Sequence, residues 1–129
     1  MPWMAPVMDN LRNHFKDKST FDMMRVNGLL EIAPMSFIRG RTFTNSYIIL
    51  DEAQNASIHE LKTVITRVGE GSKIILMGDT DQIDTPYINK HTNGLSIVAK
   101  KLRDSLHTAH INLPVGIRSA IASEASHLL

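Results

Sequence analysis

Two short apolar runs that each stop at an acid, with a capped helical pattern between them, constrain this chain more than any other feature. Tyr47-Ile48-Ile49-Leu50 is continuous, rich in β-branched residues and ended by Asp51-Glu52; Lys73 to Met77 repeats the pattern as KIILM and ends in Gly78-Asp79. Runs of this kind read as strands covered on both faces. Between them, Ser57 and Glu60 stand at capping-box spacing, Ile58, Leu61, Val64, Ile65 and Val68 recur at helical spacing, and Gly69 and Gly71 close the pattern. Strand, helix and strand of these lengths imply a crossover between parallel strands. Both acidic ends then emerge at the carboxyl edge of one sheet, where open α/β sheets take their ligands.

The remaining segments extend the alternation. Met4 to His14 and Phe21 to Asn27 read as short helices, the second ended by Gly28, with a polar, loop-like stretch from Asn13 to Thr20. Leu29 to Ala33 reads as a strand cut by Pro34, and Met35 to Ser46 as irregular chain carrying Arg39, Gly40 and Arg41. Leu95, Val98, Leu102 and Leu106 define another amphipathic helix, Ala109 to Leu113 a last strand stopped by Pro114, and about Arg118 to Leu129 a terminal helix. The expected fold is α/β, a mainly parallel sheet with helices on both faces, and the 129 residues suit one domain over 1–129.

Composition narrows the partners. With 14 basic and 13 acidic side chains the formal charge is +1, so no bulk field draws the chain to nucleic acid or to an acidic membrane. A local patch is needed, and Lys100, Lys101 and Arg103 read either as one or as a solvated helix face. There is no cysteine, which removes disulfides and thiolate chemistry and fits a cytoplasmic protein. No apolar run approaches the roughly 20 residues that span a bilayer, so no membrane partner is expected.

Two acids at the end of a buried strand, followed by Ala53-Gln54-Asn55, resemble a Walker B element, in which one carboxylate holds Mg²⁺ and the next polarises water. Read blandly, they are solvated residues that terminate a strand. The turn Gly78-Asp79-Thr80-Asp81-Gln82-Ile83-Asp84 sets Gln82 where an amide can orient water or report a phosphate, or it is a polar turn. Other patterns fail. A calcium loop opening at Asp79 would need a ligand at Ile83 and glycine at Asp84, and a zinc-protease motif opening at His59-Glu60 would need histidine at Thr63. The six histidines read as surface or packing residues. A phosphate loop, G-x-x-x-x-G-K-[ST], also has no counterpart, because no Gly-Lys pair occurs in the chain.

Taken together, PWMAPVMDNL, GLLEIAPMSFIRGRTFTNSYIILDEAQN and TRVGEGSKIILMGDTDQID resemble the PhoH family over nearly the whole chain, and most closely its branch with an upstream PIN ribonuclease domain. That family comprises P-loop ATPases similar to the motor domain of superfamily 1 helicases. The resemblance implies a partial P-loop NTPase fold (RecA or superfamily 1 helicase-like) and the cofactors ATP and Mg²⁺. It makes this chain the carboxyl-side part of the ATPase domain, with the Walker A segment upstream. Asp51 becomes the Mg²⁺-side acid, directly or through water, and Glu52 the catalytic base. Asp79 and Gln82 become a sensor pair, Arg39 and Arg41 line the nucleotide or nucleic-acid path, and Arg118 meets phosphate. The residues before Arg118, Pro114-Val115-Gly116-Ile117, replace the charged segment usual in the family.

Two functions follow. The first is the carboxyl-side half of an ATP hydrolase coupled to RNA or single-stranded nucleic acid, inactive until a phosphate loop is supplied. The second is a non-catalytic, truncated interaction module that binds a partner or self-associates into a homo-oligomer, because the implied sheet order leaves an apolar strand edge unpaired.

Overall fold

The computed structural model describes residues 5–38, 40–89 and 91–129. Its centre is the expected crossover: strand β1 (Tyr47–Leu50) and strand β2 (Lys73–Leu76) pair in parallel, Leu50 opposite Leu76, with helix α3 (Ile58–Ile65) between them in sequence. Helices α1 (Ala5–Asn13) and α2 (Lys18–Val26) precede this unit, and α4 (Gly94–Lys101) and α5 (Ala120–Leu128) follow it. The architecture is therefore α/β with a two-stranded parallel sheet.

The capping box forms as its spacing requires: the Ser57 hydroxyl accepts the Glu60 N–H at 3.1 Å, and Glu60 Oε1 accepts the Ser57 N–H at 3.2 Å. This fixes the first turn of α3, which buries Leu61 and Val64. Leu61 and the buried Ala53 and Ala56 meet Leu50 and Leu76 from the sheet and Leu95 and Val98 from α4, so α3 and α4 cover one face together. Gly94 begins α4 because a Cβ there would lie 2.7 Å from the Ala56 carbonyl oxygen, whose hydrogen bond from the Gly94 N–H is 2.8 Å long.

The opposite face corrects the expectation of helices on both sides. Tyr47 is 67% and Ile49 55% exposed, and Ile75 and Met77 are exposed beside them. Burial alternates along both strands, in the manner of a half-covered sheet. Two expected strands are also absent. Leu29 to Ala33 is irregular, with Glu31 turned to an ion pair with Arg41, and Ala109 to Leu113 is unpaired, its Ile111 and Leu113 exposed. A strand exists only by pairing, and apolar alternation alone does not supply a neighbour.

Helix boundaries move for local reasons. Asp17 accepts the Ser19 N–H and starts α2 earlier than Phe21, and Asn93 caps α4. The Thr108 hydroxyl bonds the Leu102 carbonyl and turns the chain before Leu106. Among the described residues, no helix is long and apolar enough to cross a membrane.

Candidate active site

Parallel pairing delivers both acidic ends to one rim. The Met77 N–H donates to the Leu50 carbonyl at 2.9 Å, and the Ala53 N–H donates back to the Met77 carbonyl at 2.8 Å, so the chain after each strand is stitched to the other. Asp51, Glu52 and Asp79 are solvent-exposed on this rim. Glu52 adopts φ 56° and ψ 35°, a left-handed conformation costly for a residue with a side chain, and its N–H is held at 2.9 Å by Asp51 Oδ1. Such strain persists only where the surroundings enforce it.

The residue that grips the Glu52 side chain is Gln54. It is 1% exposed, and its amide reaches three residues on the two acidic turns. Nε2 donates to Glu52 Oε2 at 2.6 Å and to the Gln82 carbonyl at 3.2 Å, while Oε1 accepts the Asp79 N–H at 3.2 Å. Gly78 lets that amide through, since a Cβ on it would sit 2.5 Å from Gln54 Oε1. Asn55 extends the lacing: its Oδ1 accepts the Asp84 N–H at 2.8 Å, and its carbonyl accepts the Thr85 hydroxyl at 3.0 Å. The two acidic turns therefore form one hydrogen-bonded unit.

The Asp79 carboxylate accepts the Asp81 N–H through Oδ1 at 2.9 Å, and its Oδ2 lies 3.8 Å from an Arg118 guanidinium nitrogen. Arg118, 39 residues later in the chain, thus stands beside the rim. Gln82 reaches it through its backbone, and its side chain is exposed. Arg41 does not join this group. It pairs with both Glu31 oxygens at 2.7 and 2.8 Å and lies over the Phe43 ring, 4.8 Å from its centroid. Phe43 bridges Val68 beside the amino ends of the strands, away from the acids. Arg41 holds the Glu31 carboxyl below the usual carboxylate range, and Glu31 in turn raises the guanidinium. Arg39 falls outside the described residues.

The donor set at the rim is oxygen-based, which suits a hard cation such as Mg²⁺. No group of three or more ligating His, Cys, Asp or Glu side chains occurs among the described residues, so a cation held through Asp51 would take its remaining ligands from water and phosphate. Sequence reasoning did not assign Gln54 as a site residue, although the dipeptide Gln54-Asn55 directly after the acids was the available signal.

A parallel, acid-tipped strand pair with a laced carboxyl rim is an α/β arrangement, the class in which ligands generally bind at the carboxyl ends of the strands. The PhoH-like protein family profile matches residues 1–128, and the chain belongs to that family. It is 42% identical over 131 residues to Protein PhoH2 of Bacillus subtilis (strain 168), covering 99% of this chain and 30% of that relative. It is 41% identical over 103 residues to a PhoH-like protein of Synechocystis, covering 80% and 30% respectively. Protein PhoH2 of Mycolicibacterium smegmatis is 34% identical over 99% of this chain and 29% of its own length. The chain thus spans about 30% of the length of these relatives.

Proposed function

We propose that this chain is the carboxyl-side part of a PhoH-family ATPase domain of the RecA or superfamily 1 helicase-like kind, acting on RNA or single-stranded nucleic acid in the cytoplasm. The observation that carries the reading is the Gln54 lacing, which joins Glu52, Asp79 and the Gln82 backbone into one unit beside Asp51. A strand-terminating acid needs no such partner.

In this reading Asp51 holds Mg²⁺, directly or through water, and the cation supplies charge neutralisation on the phosphate oxygens when bound. Glu52 accepts a proton from the attacking water, with the Gln54 Nε2–H fixing its carboxylate. Asp79 and Gln82 respond to the phosphate end, and Arg118, paired with Asp79 in this state, is within reach of the same anion. An open cleft of about 830 Å³ with a partly apolar lining, Ile58 and Ile97 among it, runs from Thr80, next to Asp79, to Lys100 and Lys101, whose two cations offer a contact for a phosphate backbone.

Calorimetric titration with Mg²⁺ and a non-hydrolysable ATP analogue tests the reading. The 129-residue chain alone is expected to bind weakly or not at all, and a fusion to a segment carrying a G-x-x-x-x-G-K-[ST] loop to bind saturably. Tight binding by the bare chain, or none by a folded fusion, would contradict it.

A second reading, an interaction module that self-associates, is favoured by the bare sheet face of Tyr47, Ile49, Ile75 and Met77. Light scattering at micromolar concentration decides it: a homo-oligomer supports this reading, and a clean monomer removes it.

A further inference from the structure

Two Asn-Gly pairs occur in this chain, and their sequence settings are nearly the same: Val26-Asn27-Gly28-Leu29 and Thr92-Asn93-Gly94-Leu95. An asparagine before glycine is chemically labile, because glycine puts no Cβ in the way of its own backbone nitrogen as that nitrogen attacks the asparagine Cγ. Each pair follows a β-branched residue and precedes a leucine, so the intrinsic reactivities are matched. The fold alone separates them.

Asn93 is held at every atom the reaction needs. It is 0% exposed, and its Nδ2, the nitrogen that would leave, donates to the Asn89 carbonyl at 3.0 Å and to the Ser96 hydroxyl at 2.9 Å. Its Oδ1 accepts the Ser96 N–H at 2.9 Å. The nitrogen that would attack is tied as well, since the buried Gly94 donates its N–H to the Ala56 carbonyl at 2.8 Å. Asn27 stands just beyond the last turn of α2 under opposite conditions. It and Gly28 are exposed, and its side-chain amide makes no hydrogen bond among the described residues. No atom lies within 4 Å of the place a Cβ on Gly28 would take. The Gly28 N–H donates to the Arg25 carbonyl at 3.2 Å, the long end of the hydrogen-bond range, and a helix end opens at little cost in free energy.

We propose that Asn27 is a site of spontaneous covalent modification in the folded chain, converting to aspartate or isoaspartate, and that the fold exempts Asn93. Water or hydroxide takes the Gly28 amide proton, the freed nitrogen bonds to Asn27 Cγ, and the Cγ–Nδ2 bond breaks to release ammonia and leave a five-membered imide. Water then opens the ring. Cleavage between the nitrogen and Cγ gives aspartate, and cleavage between the nitrogen and the Asn27 carbonyl carbon gives isoaspartate. Either product sets a carboxylate at the C-terminal end of α2, where the helix dipole disfavours it. Isoaspartate also lengthens the main chain by one methylene inside the cap, where the Leu29 and Leu30 N–H groups bond the Met24 carbonyl at 2.8 and 3.1 Å. Conversion therefore unfastens that end of α2.

Incubation of the full chain at mildly basic pH, followed by mass spectrometry of the tryptic peptides that carry Asn27 and Asn93, tests it. In the folded chain the Asn27 peptide should change from amide to acid at least about tenfold faster than the Asn93 peptide, since a helix end opens locally and the buried pair opens only with the core. In unfolding concentrations of urea the two should convert at similar rates. Hydrolysis in H₂¹⁸O should place the heavy oxygen in the new carboxylate, and Asn27→Gln should remove the product, because its ring would need six members. The Leu29 amide should exchange hydrogen faster in the converted chain than in folded Asn27→Gln. An Asn27 peptide that stays unconverted in the folded chain overturns the site, and so does an Asn93 peptide that keeps pace with it there. Unequal rates that persist in urea would overturn the fold as the cause, and Leu29 exchange unchanged by conversion would overturn the unfastening of α2.

Discussion

Replacing Gln54 by leucine isolates the lacing of the acidic rim. The two side chains are similar in size, so the 1%-exposed position stays filled while all three hydrogen bonds vanish. The Asp79 N–H and Gln82 carbonyl each lose about 1 kcal/mol. The Glu52 bond, to a charged but exposed carboxylate, is taken at the low end for charged partners, about 1.5 kcal/mol. The loss is then about 3.5 kcal/mol, offset by roughly 1.5 kcal/mol from burying leucine. The net destabilisation of about 2 kcal/mol corresponds to a fall in Tm of roughly 8 °C for a chain of this size. Urea unfolding should show a lower midpoint at an unchanged m value. In a cycle with Glu52→Ala, the pair should couple by about 1 kcal/mol. A destabilisation below about 0.5 kcal/mol, or additive effects of the two substitutions, would refute the idea that Gln54 grips the Glu52 side chain.

Three further outcomes are expected. Leu61→Ala, at 0% exposure between sheet and helices, should cost about 2–5 kcal/mol by urea unfolding, whereas the same change at exposed Leu106 should be nearly silent. Gly78→Ala should displace the Gln54 amide, destabilising the chain and broadening the Asp79 and Gln82 backbone resonances in an NMR spectrum. Arg41 holds the folded-state pKa of Glu31 below its ordinary value, so this pair stabilises the fold above the ordinary carboxylate range and loses its contribution as pH falls through the depressed value. The effect is small because both partners are exposed, and Glu31→Gln should flatten the fall in urea midpoint between about pH 5 and 3. Parallel curves for the two proteins would show that the pair is energetically idle.

What could be read from the sequence was whatever local chemistry decides. The apolar runs at 47–50 and 73–76, the Ser57 and Glu60 box and the helix that follows depend on neighbours within a few residues. Leu29 to Ala33 and Ala109 to Leu113 carry a similar apolar signal, but a strand also needs an adjacent partner, and none pairs with them among the described residues. The two-sided cover expected for β1 and β2 failed for a related reason, since composition records which faces want burial and not what lies against them. Gln54 was illegible as a positioning residue because its contacts at Asp79 and Gln82 lie 25 and 28 residues away. The pairing of Arg41 with Glu31 was illegible for the same reason, since the two stand ten residues apart and meet only through the fold.

Phosphate release by a fusion that carries a phosphate loop, compared with its Glu52→Gln variant, measures the role assigned to the rim most directly. Loss of turnover by at least about a hundredfold with nucleotide affinity retained is the expected result, since removing a general base of this kind costs 10²–10⁴ in rate. Turnover that persists in Glu52→Gln, in a fusion that binds nucleotide normally, would show that the acidic rim is not where the chemistry happens.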